Sequence, residues 1–236
     1  MTESAAEADV PLAERAVQRR LAARQQLAAG EVNRLLEAAL QLMTADPSRP
    51  PRVSDVVRTA GVTNQVFYRS FDGRDDLLAA VVDNGARRLV SYVERLMSHA
   101  GDARSRVRAF VDAVLSQAVD PVATMTRAVL SGTVRQGDQA ARARVWVADR
   151  LAAVLSPDLA ALGSEDPARD SRVLTNAVLG TMEHFLWQQQ QPGADDTEHL
   201  CALLLSTLTT TRGATVRRAP ETHPTGDTRV GLHDRA

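Results

Sequence analysis

The chain has 236 residues, of which 44% are hydrophobic and 24% charged, and its formal net charge at pH 7 is −1. That apolar content can bury a small domain together with a larger one. There is no lysine and one cysteine, Cys201, which excludes a P-loop, Schiff-base chemistry, an intramolecular disulfide framework and any multi-cysteine zinc site.

Residues 1–10 carry three acids and no base and lack periodicity. Pro11 to Ala29 reads as a helical arm bearing Arg15, Arg19, Arg20 and Arg24, so 1–29 is expected to be an N-terminal extension. Such an arm either tracks a phosphate backbone or minor groove, or is simply a solvated basic face. Across residues 11–74 ten arginines face six acids, a net charge of +4 in a chain that is otherwise slightly acidic. Positive charge therefore gathers at the N-terminal end, where a polyanion would lie.

A domain over 30–77 follows. Val32, Leu35, Leu36, Ala39, Leu42 and Met43 lie on one face of a first helix, and Val53, Val56, Val57 and Ala60 on one face of a second, two turns long. Gly61 then supplies a residue tolerant of positive φ, and Thr63 can cap a third helix through its hydroxyl. In that helix Phe67 and Phe71 fall four apart and point inward, while Asn64, Gln65, Tyr68 and Arg69 share the outward face. Three of the chain's eight aromatic residues crowd into positions 67–71. Asp72 and Asp75 have capping-box spacing at the start of a long fourth helix, and Asn84-Gly85 is a turn signal within it.

The pattern G-V-T-x-x-x-x-Y-x-x-F, followed by a basic residue and D-L-L, resembles the DNA-binding end of the TetR (tetracycline-repressor-like) family of transcriptional regulators over roughly residues 31–80. Where relatives often have a basic residue followed by a small one after the third-helix cap, this chain has Asn64 and Gln65. Where many have an aromatic residue or histidine it has Ser70. Differences at exposed recognition positions change which bases are read rather than how the helix docks. Double-stranded operator DNA is the expected partner. Asn64 or Gln65 can pair bidentately with adenine and Val66 can meet a thymine methyl, with Ser54, Thr63, Tyr68, Arg69 and Arg74 on phosphates.

Residues 78–212 read as a larger helical domain, with helices near 77–99, 104–119, 121–134, 138–155, 168–191 and 195–212, and breaks at Gly101, Asp120-Pro121, 132–137, 157–167 and Pro192-Gly193. The last two are apolar on more than one side. The resemblance implies that they pair with their copies in a homodimer, and that this domain binds a small-molecule effector that releases a repressor from a near-palindromic operator. Phe110, Met125, Trp146, Met182, His184, Phe185 and Trp187 are the candidate effector contacts, with Arg127 or Gln188 as polar anchors, which favours a hydrophobic effector. Residues 213–236 lack periodicity and read as a disordered tail.

The expected fold is thus all-α: an N-terminal three-helix helix-turn-helix domain plus a larger C-terminal helical domain for ligand binding and dimerisation. No catalytic motif is visible. Glu183-His184 and Glu198-His199 are the acid–histidine neighbours that invite a metal or acid/base reading, and adjacent helical residues diverge by about 100°, so neither pair forms a site alone. No enzyme activity, cofactor or metal is expected. No apolar run approaches the roughly 20 residues of a membrane span, and the acidic N-terminus is unlike a secretory signal, so no membrane partner and a cytoplasmic location are expected. The competing reading is a helical protein-interaction module that keeps the helix-turn-helix scaffold without specific DNA binding.

Overall fold

The computed structural model describes residues 11–134 and 138–214. Within them the chain forms α1 (Leu12–Ala45), α2 (Val53–Ala60), α3 (Asn64–Ser70), α4 (Arg74–Ser98), α5 (Ala103–Leu115), α6 (Val122–Val134), α7 (Asp138–Ala161), α8 (Pro167–Gln188) and α9 (Ala194–Ala214), with no strand among the described residues. The all-α expectation is met. The expected tail lies outside the described residues except for 213 and 214, which close α9; so do residues 1–10.

The small domain packs α1, α2, α3 and the first turns of α4 around Leu35, Ala39, Val56, Phe67, Leu77 and Val81. The apolar spacing of α2 places Val56, Val57 and Ala60 in this core. Two helices link it to the larger domain. On α4, Leu77, Leu78 and Val81 belong to the small core, whereas Val90, Val93 and Met97 belong to the large one. On α6, Ala128 is buried in the small core while Ala123 is buried in the large one.

The large core centres on α5, whose Val107, Phe110, Val111 and Val114 are fully buried against Leu151 and Leu155 of α7, Val178 and Leu186 of α8, and Leu204 of α9. Asp102 caps α5, its carboxylate accepting from the Ser105 amide at 2.7 Å. Asp166 caps α8, accepting from the Arg169 amide at 3.1 Å, with Pro167 in the first turn. Both are N-cap chemistry, a side-chain oxygen satisfying an orphan helix amide.

Four local expectations differ from the structure. The arm and the first helix are one helix, unbroken at Gly30, because a single mid-helix glycine costs only about 1 kcal/mol. The Asn84-Gly85 signal does not break α4 for the same reason. Pro157 lies inside α7 rather than ending it. Proline removes one N–H, and both Pro157 and Ala153, whose carbonyl loses that partner, are exposed to solvent. Finally, Asp72 and Asp75 do not form the capping box of α4. Gly73 is the N-cap, and Asp76 reaches back to accept from the Asp72 amide at 3.1 Å.

Candidate nucleic-acid interface and effector cavity

The geometry between α2 and α3 follows from two residues. Gly61 takes φ 63° and ψ 37°, the left-handed region where a Cβ is strained. Its amide and that of Val62 close α2 by donating to Arg58 and to Val57, the latter at 3.2 Å. Thr63 then caps α3, its Oγ1 accepting from the Val66 amide at 3.3 Å.

The seven residues of α3 form little helix by themselves, so burial holds them. Phe67 is fully buried and Phe71 nearly so, with ring centroids 5.8 Å apart. Burying a side chain of that size stabilises by about 1.5–3 kcal/mol. With those rings inside, Asn64, Gln65, Tyr68 and Arg69 face solvent. Tyr68 is 62% exposed, its ring edge-on to Phe67 at 5.1 Å, so its phenol is presented rather than packed.

The other residues expected on DNA border this face. Ser54 is exposed on α2, and Val66 is half-buried on α3 beside the core. Arg69 is paired with Glu31 of α1 at 2.7 Å, and Arg74 with Asp75 at 3.0 Å. Ser70, at a departure from the family pattern, donates to the Val66 carbonyl at 3.1 Å and makes no outward contact. Asp55 pairs with Arg58 at 2.8 Å on α2, which lowers its repulsion of a phosphate.

Where the two domains meet lies a cavity of about 790 Å³. Its wall is mainly apolar: Leu40 of α1, Val82, Gly85 and Leu89 of α4, Val119 of the segment before α6, Val122, Met125, Val129 and Leu130 of α6, Val147 of α7, and Leu179 and Met182 of α8. Polar groups are few, chiefly Arg88, Tyr92, Gln117, Asp120 and the Arg144–Glu183 ion pair at 3.0 Å.

Of the candidate effector residues, Met125 and Met182 line this cavity; Phe110, Trp146, His184, Phe185 and Trp187 do not. Phe110 is fully buried in the large core, and Phe185 packs half-buried against it. Trp146 lies under the Arg87 guanidinium, 5.0 Å from its ring centroid. His184 is exposed and Trp187 is 47% exposed on α8. Arg127 pairs instead with Asp120 at 3.7 Å, and Gln188 is exposed. Sequence reasoning missed Leu40, Gly85, Tyr92 and Gln117. The legible signal was Gly85, a glycine retained inside a long helix, at which a Cβ would meet nothing within 4 Å.

Cys201 is buried. Burial, and secondarily the Asp112 carboxylate, push its thiol up from the ordinary range, as suits a packing residue rather than a nucleophile. Among the described residues no group of three His, Cys, Asp or Glu side chains is arranged to hold a metal ion, and no helix is long and apolar enough to cross a membrane.

A helix-turn-helix whose second helix presents a polar face beside basic side chains, joined by shared helices to a larger α-helical domain, is an architecture suited to a helical DNA-binding regulator. Residues 35–81 match the family described as bacterial regulatory proteins, tetR family, and the described chain has a fold similar to that of solved TetR-type regulators. Similar solved structures cover nearly the whole of their own chains. A candidate transcriptional regulator from Pseudomonas aeruginosa PAO1 shares 20% identity over 79% of this chain and 93% of its own, with a TM-score of 0.64. A candidate TetR-type regulator from Streptomyces avermitilis MA-4680 shares 26% identity over 77% and 97%, at 0.57. The fatty acid degradation regulator FadR from Bacillus halodurans shares 15% over 74% and 94%, at 0.60. No curated protein matches this sequence.

Proposed function

We propose that the protein is a sequence-specific, dimeric transcriptional repressor whose grip on a near-palindromic operator is released by a small hydrophobic effector. The observation that carries this reading is the α3 face. Asn64, Gln65 and Tyr68 stand exposed on a helix whose opposite side is locked by Phe67 and Phe71. Amide side chains at such positions can bind adenine bidentately, and each such pair is worth about 1–3 kcal/mol of discrimination. Ser54, Thr63, Tyr68 and Arg74 are suited to phosphates, which fix register without reading sequence. Arg69 joins them once it leaves Glu31.

Dimerisation is supported by α8. Val173, Ala177, Gly180, His184 and Trp187 recur at alternating four- and three-residue spacing and are all exposed. That is the seam of a helix pair, extended by exposed Ala202 and Leu203 of α9. Two-fold symmetry would present two α3 helices about 34–36 Å apart, one turn of duplex.

Effector release is supported by the position of the cavity. Its volume lies within the roughly 300–1,000 Å³ typical of small-molecule sites. It touches α4, which begins directly after α3, and Leu40 of α1 within the DNA-binding domain. A ligand there acts only by binding the non-DNA state more tightly, and α4 is the element through which such a difference would change half-site separation.

The test is fluorescence anisotropy with the purified protein and the DNA upstream of its own gene at about 0.15 M salt, against scrambled duplex as competitor. Saturable binding that resists the competitor is expected. Failure to bind this or any duplex recovered from a random-sequence pool would favour a protein-interaction module.

A further inference from the structure

We propose that the N-terminal half of α1 is a second DNA contact, a rigid basic arm whose arginines bind phosphates of the duplex flanking the site on which α3 sits. This rests on the DNA-binding reading above and extends the interface beyond the tetR-type domain, which begins at residue 35.

The arm is helix, yet it packs on nothing among the described residues. Residues 12–30 are exposed throughout and extend about 27 Å at 1.5 Å per residue. Most helical stability in proteins comes from packing rather than propensity; here the unpacked arm continues without interruption from the packed part of α1, which supplies its nucleus. Four arginines and one glutamate give the segment a net charge of +3. Among the described residues Arg19, Arg20 and Arg24 make no ion pair. Nothing among the described residues neutralises them, which leaves them available to an external anion.

Direction identifies that anion. The Arg69 pair shows that Glu31 faces the recognition helix. Arg24 and Arg20 precede Glu31 by seven and eleven residues, and at 3.6 residues per turn both project within about 20° of its direction. The face that meets α3 thus continues as a basic ridge, about 10 and 16 Å farther along α1. A duplex lying on α3 and running along this face would offer it a phosphate about every 3.4 Å on each strand.

A second copy of the arm fits less well. The apolar series that would form a coiled-coil seam, Val17, Leu21 and Ala28, is interrupted at its middle position by Arg24. Leu12 and Leu27 lie off that seam, and a two-stranded coil needs it apolar over several heptads.

The experiment uses the full-length protein and duplex recovered by the wild type from a random-sequence pool. That duplex is tested both inside a longer flanking sequence and trimmed to the footprint of the helix-turn-helix domain. The wild type is expected to bind the longer duplex more tightly. The triple variant Arg19→Gln, Arg20→Gln, Arg24→Gln is expected to lose that length advantage while still preferring the recovered sequence to a scrambled one. Its salt slope should be shallower by about 1.8 per protomer, for the two arginines of the ridge, so that the affinity lost between 50 and 200 mM salt shrinks by roughly 12-fold. Lysine at the three positions should restore the slope, and the variant should keep the wild-type circular dichroism and oligomeric state. Unchanged length dependence and slope would overturn the proposal. So would a change of oligomeric state in the triple variant, which would mean that the arm pairs copies. A wild type that recovers no duplex would refute the DNA-binding reading itself and the arm with it, an outcome distinct from either of the others.

Discussion

The guanidinium of Arg69 on α3 donates to the carboxylate of Glu31 on α1 at 2.7 Å, tying the recognition helix to the first helix. Arg69 is well exposed and Glu31 mostly covered, so the pair adds at most about 1 kcal/mol to stability. Its larger effect is electrostatic, since it holds an acid beside the DNA face and occupies a cation that a phosphate could use. Glu31→Gln should leave urea unfolding within about 1 kcal/mol of wild type. It should tighten binding to every duplex and steepen the salt slope by about 0.9 per protomer as Arg69 turns to phosphate. Weaker binding would mean that Glu31 is needed to orient α3.

Gly85 offers an entry into the cavity that leaves the DNA face untouched. A Cβ there meets nothing within 4 Å, and the residue lines the cavity. Gly85→Ala should stabilise α4 by roughly 0.8–1 kcal/mol, the helix-propensity difference. Gly85→Leu should fill effector space, leaving operator affinity intact while effector-induced release is lost. Calorimetry of unfolding and anisotropy with effector read the two effects separately. Full release in Gly85→Leu would move the effector site elsewhere.

Arg106 of α5 and Asp158 of α7 are joined at 2.6 Å, with the carboxylate 7% exposed and the guanidinium one-third exposed. Removing one partner of a fully buried pair costs about 3–5 kcal/mol, and the partial access of Arg106 to water reduces this to about 2 kcal/mol for Asp158→Ala. Denaturant unfolding should show that loss while the affinity of the folded protein for DNA stays near wild type.

The Asp102 cap makes stability respond to acid. The Ser105 amide bonded to its carboxylate is the main cause that holds its pKa below the usual value. A folded-state pKa below the unfolded one of about 3.9 means that the stabilisation is present above that pH and is lost as pH falls through the lowered value. Asp102→Asn keeps a capping oxygen but cannot titrate. The stability difference between wild type and Asp102→Asn should therefore shift against wild type below about pH 4 and stay constant from pH 5 to 7. A difference that is flat through the acid range would remove the cap from the acid response.

The helix-turn-helix was readable because each of its parts has a local cause: the αL glycine at 61, the hydroxyl cap at 63, and the spacing of Phe67 and Phe71. The cavity was not, because apolar residues at helical spacing look the same whether they meet another side chain or empty space. Phe110 and Met182 are both large, apolar and buried, yet only Met182 reaches the cavity. The choice depends on how α4, α6 and α8 converge, which no local pattern encodes. Arg69 shows the same limit at the DNA face. Its outward position on α3 followed from periodicity, but its pairing with a residue 38 positions earlier did not.

The central claim, that α3 reads bases through Asn64 and Gln65, is tested most directly by equilibrium binding of wild type, Asn64→Ala, Gln65→Ala and Arg74→Ala to the operator and to its single-base variants at fixed salt. The two amide variants should relax preference at one operator position each, by about 1–3 kcal/mol, while Arg74→Ala weakens all duplexes alike and flattens the salt slope. Equal weakening on every sequence by Asn64→Ala and Gln65→Ala would contradict direct readout by this helix.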